Sequence, residues 1–194
     1  MTDHGDSRTR LLDTTTRLLS RHGYSGTAIK EVLLESGVVA GSLYHHFPGG
    51  KEELAAAAVA RSGEWAQAVF TSLFAERGAA GAVDAYFRAT VDRLVASDYV
   101  DGCPIGTPAA DAPAGAAAVQ EAAGAAFAGW TKTMVDHLVR HEGWGRPAAR
   151  EVAANIVSLY EGSILVARVE RSMRPVQAAA RLSRSLIDAG PPTP

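Results

Sequence analysis

Apolar residues recur along almost the whole chain at three- and four-residue intervals, the spacing that gathers side chains onto one face of an α-helix, and no stretch alternates strictly as a half-buried strand does. The pattern predicts an all-α protein of about nine helices. Leu11, Leu12, Thr15, Leu18 and Leu19 define a first helix over about residues 8–22, stopped by Gly23 in a left-handed conformation. Thr27 is the expected N-cap of a second helix, with Ile29, Val32 and Leu33 inward and Gly37 as its end. A short third helix, about 39–47, buries Leu43 and Phe47 at an i, i+4 spacing, and Pro48 cannot continue it.

After the Gly49–Gly50 turn, Lys51, Glu52 and Glu53 open a long fourth helix with carboxylates at its positive end and an inward stripe of Leu54, Ala58, Ser62, Trp65, Val69 and Leu73. A break at Gly78–Gly81 precedes a fifth helix carrying Val83, Tyr86, Thr90, Val91 and Leu94 to about residue 97. Residues 101–114 are rich in glycine and proline and read as a loop with at most a short helix. An alanine-rich helix then bears Val119, Ala126, Phe127, Trp130, Met134 and Leu138. The last two, about 147–172 and 175–189, have stripes of Val152, Ile156, Leu159, Tyr160, Ser163 and Ile164, and of Val176, Ala179, Leu182 and Leu186. The expected division is a three-helix N-terminal domain at 1–50, a helical bundle at 51–189, and a disordered tail at 190–194.

Composition narrows the class further. With 47% hydrophobic and 21% charged residues the chain is neither disordered nor fibrous. No uninterrupted apolar run reaches about 18 residues and the first ten residues carry acids, so we expect no membrane span and no secretory leader. The lone Cys103 cannot form an intramolecular disulfide, in keeping with a reducing cytoplasm. Net charge is −2, and the first 54 residues hold six Lys/Arg against seven Asp/Glu. Any DNA affinity must therefore come from where charges are placed, not from their sum.

The run TAIKEVLLESGVVAGSLYHHF supplies two short helices joined by a glycine-bearing turn, the geometry of a helix-turn-helix. Ala40, Gly41 and Ser42 are small enough to let the backbone approach DNA, and Tyr44, His45 and His46 carry donors suited to phosphates. The longer segment GTAIKEVLLESGVVAGSLYHHFPGGKEELAAAAV resembles the N-terminal domain of TetR-family regulators, and the PGGKEEL turn with the later DGCPIGTPA segment resembles the LmrA/YxaF branch, whose members repress efflux or flavonoid-metabolism genes.

The resemblance implies a homodimer paired through the last two helices that binds a palindromic double-stranded operator and a small-molecule effector. It implies phosphate contacts from Thr27 and Lys51, anchoring by Tyr44 and His45, and base-edge proximity for Ala40, Gly41 and Ser42. Arg8 and Arg10, expected to be flexibly attached before the first helix, would add minor-groove or phosphate contacts. Val39 stands where such proteins usually carry a capping serine or threonine; a missing cap costs about 1 kcal/mol.

For the effector, an apolar pocket is expected from Trp65, Val69, Phe87, Leu94, Cys103, Phe127, Trp130, Met134 and Tyr160, with His137 or Asn155 supplying polarity, which suits a flat hydrophobic or aromatic molecule. No metal or other cofactor is expected. His45 and His46 point about 100° apart on a helix, and His137 and His141 have no convergent third ligand. No cation flanks Cys103 to favour a thiolate. An enzyme is disfavoured by the absence of HExxH, P-loop or nucleophile-elbow patterns. A dimeric interaction protein with a degenerate helix-turn-helix is the remaining alternative.

Overall fold

The computed structural model describes residues 4–191; residues 1–3 and the end of the expected tail, from residue 192, lie outside the described residues. Among the described residues eight helices follow one another: α1 (His4–Gly26), α2 (Ile29–Ser36), α3 (Ala40–His46), α4 (Lys51–Ala96), α5 (Gly106–Asp111), α6 (Ala117–His141), α7 (Arg146–Glu170) and α8 (Arg174–Asp188), with no strand. The class is all-α, as the periodicity predicts.

The expected fourth and fifth helices are one element, α4, bent where Gly78 adopts φ 67° and ψ 178°; counting its two segments apart gives nine. The break is confined to one residue because the amide that the bend releases finds a new acceptor. Ala79 N–H donates to Glu142 Oε1 at 2.7 Å, a side-chain cap that restarts the helix. The short helix allowed for in the glycine- and proline-rich stretch is α5.

The chain forms two compact units. The first comprises residues up to Glu64 together with Cys103–Ala126, and the second Trp65–Gly102 with the chain from Phe127 onwards. In the first unit Leu11, Leu12, Leu18, Leu19, Val32, Leu43, Phe47 and Leu54 form the core, joined by Ile105 and Val119. In the second the core is aromatic, built on Phe70, Phe74, Tyr86, Phe87, Trp130 and Tyr160, with Met134, Leu138, Ile156 and Ile164 around it.

Several expectations change. Arg8 and Arg10 lie inside α1, not on a flexible arm, because the helix starts at His4 and Ser7 is buried with its hydroxyl 3.2 Å from His46 Nε2. Trp65 is 63% exposed; beyond Ser62 the inward stripe of α4 is Ala66, Phe70 and Phe74, one position out of phase with the expected one. Leu182 is half-exposed, and Ser183 and Ile187 are the buried positions of α8 beyond Ala179.

Candidate nucleic-acid interface

The first unit builds its reading head from α2, a three-residue turn and α3. Gly37 ends α2 in the left-handed region at φ 64°, Val38 turns inward, and Val39 takes the N-cap of α3 in an extended conformation. Leu43 and Phe47 are essentially inaccessible, so the inner face of α3 is pinned and its outer face is set by default. Ala40, Gly41, Tyr44 and His45 are exposed. A Cβ added at Gly41 would meet nothing within 4 Å, so this helix offers an open, nearly bare backbone at its N-terminal turn.

Other expected contacts are held differently. Val39 provides no side-chain cap, as its residue type dictates. Ser42 is half-buried, and its hydroxyl donates to Ser7 Oγ at 3.3 Å, tying the recognition helix to α1. Thr27 is not the N-cap of α2. That position is Ala28, and Thr27 is buried with its hydroxyl donating to the Gly23 carbonyl at 2.7 Å, closing the corner that Gly23 introduces in the last turn of α1.

Lys51 places its ammonium 4.4 Å from the centre of the Tyr24 ring. Partial burial lowers the Lys51 pKa, opposed by the charge of Asp111. Burial likewise raises that of the Tyr24 phenol, helped by the nearby Glu52. Arg8 lies 5.6 Å from the centre of the Phe47 ring.

Four acids of this region have internal partners. Asp13 pairs with Arg61 and Glu35 with Arg17. Glu52 accepts Ala118 N–H at 3.0 Å, and Glu53 accepts Gly49 N–H at 2.7 Å. Sequence reasoning missed Ser7 and Asp111, and it read His46 as a phosphate donor without its contact to Ser7; these contacts act across 35 to 87 residues of chain and leave no local signal.

The second unit holds most of the expected effector residues. Phe70 stacks on Tyr86 at 4.1 Å, and Trp130 lies 5.8 Å from Phe70, 6.2 Å from Tyr86 and 6.0 Å from Tyr160. Tyr160 OH shares a 3.0 Å hydrogen bond with Thr90 Oγ1, whereas the buried Trp130 indole N–H has no hydrogen-bond partner. Phe87, Met134 and Ile156 complete a void of only about 10 Å³, so the rings fill their own cavity. Leu94 is buried and Val69 half-buried in this unit, and Phe127 packs edge-on against Trp130 at 5.5 Å.

The remaining expected residues lie apart from this cluster. Trp65 is exposed and Cys103 belongs to the first unit, where its sulfur accepts the amides of Ile105 and Gly106 at 3.4 Å. His137 stacks on Phe74 at 4.9 Å beside a separate cleft of about 710 Å³ at the Gly78 bend. Asn155 lines an apolar groove of about 680 Å³ between α7 and α8, with Leu159, Gly162, Val166, Pro175 and Leu186. Phe70, Phe74 and Tyr86 were absent from the expected pocket. The continued i, i+4 spacing of Ala66, Phe70 and Phe74 is the signal that could have found the first two.

Comparison with known proteins agrees with this geometry. Residues 11–58 match the model described as bacterial regulatory proteins, tetR family, and residues 79–182 match the C-terminal domain described as transcriptional regulator LmrA/YxaF-like. The chain is 31% identical over 174 residues to the HTH-type transcriptional regulator LmrA of Bacillus subtilis, covering 89% of this chain and 92% of that one. It is 32% identical over 185 residues to an uncharacterized HTH-type transcriptional regulator of Mycobacterium tuberculosis, covering 93% of both. A crystal structure of a TetR transcriptional regulator from Chloroflexus aurantiacus superposes with TM-score 0.77 at 26% identity, covering 97% of each chain. The chain therefore belongs to the TetR family of bacterial transcriptional regulators, with a C-terminal domain of the LmrA/YxaF-like kind.

Proposed function

We propose that this regulator is a repressor that binds a palindromic operator as a homodimer and is released by a small, mainly hydrophobic or aromatic effector. The observation that carries the DNA side is the outer face of α3: exposed Ala40, Gly41, Tyr44 and His45 on a helix whose inner face is fixed by Leu43 and Phe47. Ala40 and Gly41 would approach base edges most closely, with Ser42 behind them, while Tyr44, His45, Lys51, Arg8 and Arg10 would reach phosphates. Thr27 serves this set by holding the corner before α2. Two such heads related by a two-fold axis would read half-sites about 34 to 36 Å apart.

Dimerisation through α7 and α8 is supported by apolar surface that the chain itself leaves uncovered. An 18-residue stretch of α7 averages a hydropathy of 1.3, enough by composition to cross a membrane, yet only 39% of it is buried. Its outer side carries Leu165, 62% exposed, and Val169, 77% exposed, next to the apolar groove that α8 borders. A second copy presenting the same two helices would cover this surface, as an isologous interface requires.

The effector site we propose is the ring cluster around Trp130. A void of about 10 Å³ admits nothing larger than a single water, so an effector must displace rings to enter. That displacement gives it different affinities for two conformations, without which it could shift no equilibrium. The unpartnered Trp130 N–H is the polar handle such a ligand would satisfy. A panel of flat apolar compounds, screened by release of labelled DNA from the protein, tests this: an active compound should lose its effect on Trp130→Phe, which keeps an aromatic ring, though a smaller one, and removes the donor. Retained release would place the effector elsewhere.

A further inference from the structure

Asp111, the last residue of α5, lies in the segment read from sequence as a loop with at most a short helix, yet it makes three hydrogen bonds to the corner that Gly23 introduces in the last turn of α1. Its two carboxylate oxygens accept Tyr24 N–H at 2.7 Å and Ser25 N–H at 2.9 Å, and its main-chain carbonyl accepts the Ser25 hydroxyl at 3.1 Å. The corner is shaped to receive it. Gly23 sits at φ 69°, and a Cβ there would lie 2.6 Å from the carboxylate, so both the backbone conformation and the close approach demand glycine. The Tyr24 ring held by this clamp is the ring that carries the Lys51 ammonium at 4.4 Å.

A carboxylate beside a cation intended for phosphate is an electrostatic liability in a DNA-reading unit, since it repels the backbone that the unit must approach. Its retention there calls for a compensating use, and the geometry supplies one. We propose that Asp111 is a positioning residue for DNA binding: it clamps the Tyr24–Ser25 corner and, through the Tyr24 ring, fixes where Lys51 is presented to a phosphate. This inference rests on the DNA-regulator reading above.

The test compares Asp111→Asn with Asp13→Asn in the full-length protein, binding the intergenic DNA beside its own gene over a range of salt. Both substitutions remove one negative charge from the same unit, so charge alone makes both variants bind more tightly. The clamp instead makes Asp111→Asn bind about tenfold more weakly, with a log–log salt slope shallower by about 1 per head, the signature of one lost phosphate contact. Asp13→Asn keeps the wild-type slope. The shallower slope separates lost positioning from a lower folded fraction, which reduces affinity at unchanged slope, and in a Lys51→Ala background Asp111→Asn adds no further change in slope, which assigns the lost contact to Lys51. Tight binding by Asp111→Asn, or weak binding at the wild-type slope, overturns the proposal and leaves the regulator reading intact. A wild-type protein with no preference over scrambled DNA overturns that reading first.

Discussion

Gly41 separates what the free fold needs from what DNA needs. Nothing lies within 4 Å of the Cβ it lacks, so Gly41→Ala fits the free protein and, by helix propensity, stabilises it by up to about 1 kcal/mol. If α3 enters a major groove backbone-first, the same methyl intrudes on the DNA. The expected outcome is a raised melting temperature together with weakened operator binding, measured by calorimetry and anisotropy on one preparation. Val39 makes the opposite case. It occupies the N-cap without capping and is 73% exposed, so Val39→Ser supplies the missing acceptor, worth about 1 kcal/mol and, for a chain of this size, roughly 2–4 °C in melting temperature. At this scale residue type alone was informative for Gly23, Gly37, Val39 and Gly41. It misjudged Thr27 by one position, because a threonine beside a helix start can donate to the carbonyl four residues before it as readily as it can accept from the helix it precedes.

Among the elements, α4 and α6 meet at a pH-sensitive contact beside the Gly78 bend. His137 Nε2 lies 3.4 Å from Glu142 Oε1, the oxygen that caps Ala79, and His141 is 4.9 Å from His137 ring to ring. Burial, aided by the neighbouring His141, lowers the His137 pKa below its usual value even though Glu142 pulls the other way. The unfolded chain then takes up a proton at higher pH than the folded one, so the fold is favoured above about pH 6.5 and loses this contribution as pH falls through the folded pKa. His137→Gln should flatten the decline of melting temperature between about pH 7 and pH 5; an unchanged decline would assign it to other groups. Periodicity found both segments of α4 and the break between them, but mis-phased the stretch from Trp65 to Leu73 ahead of the bend. From Ser62 onward both i+3 and i+4 continuations are apolar, and only packing chose Ala66, Phe70 and Phe74 over Trp65, Val69 and Leu73.

For the whole molecule, the sequence order hides the grouping: residues 103–126 belong to the first unit although they interrupt the second along the chain. Helical periodicity reports only which face of a segment is buried, never which partner buries it, so this association and the Asp111 clamp were invisible to it. The same limit applies to α7 and α8, whose outward apolar residues a sequence cannot divide between a core and a second subunit. In the proposed symmetric contact, Leu165→Glu with Val169→Glu places four charges, two from each copy, and the expected outcome is a shift from dimer to monomer in analytical ultracentrifugation with the helical circular dichroism intact. A dimer that survives both charges would move the interface off α7.

The most direct test of a DNA-binding repressor is an anisotropy titration against the intergenic DNA beside its own gene, at 50 and 200 mM salt, with scrambled DNA as the control. Repression through a built reading head requires tighter binding to the intergenic sequence and a steep loss of affinity at the higher salt, where each counterion released from the phosphates contributes less free energy. Equal, weak binding to both sequences would contradict it and leave a helical dimer whose helix-turn-helix no longer reads DNA.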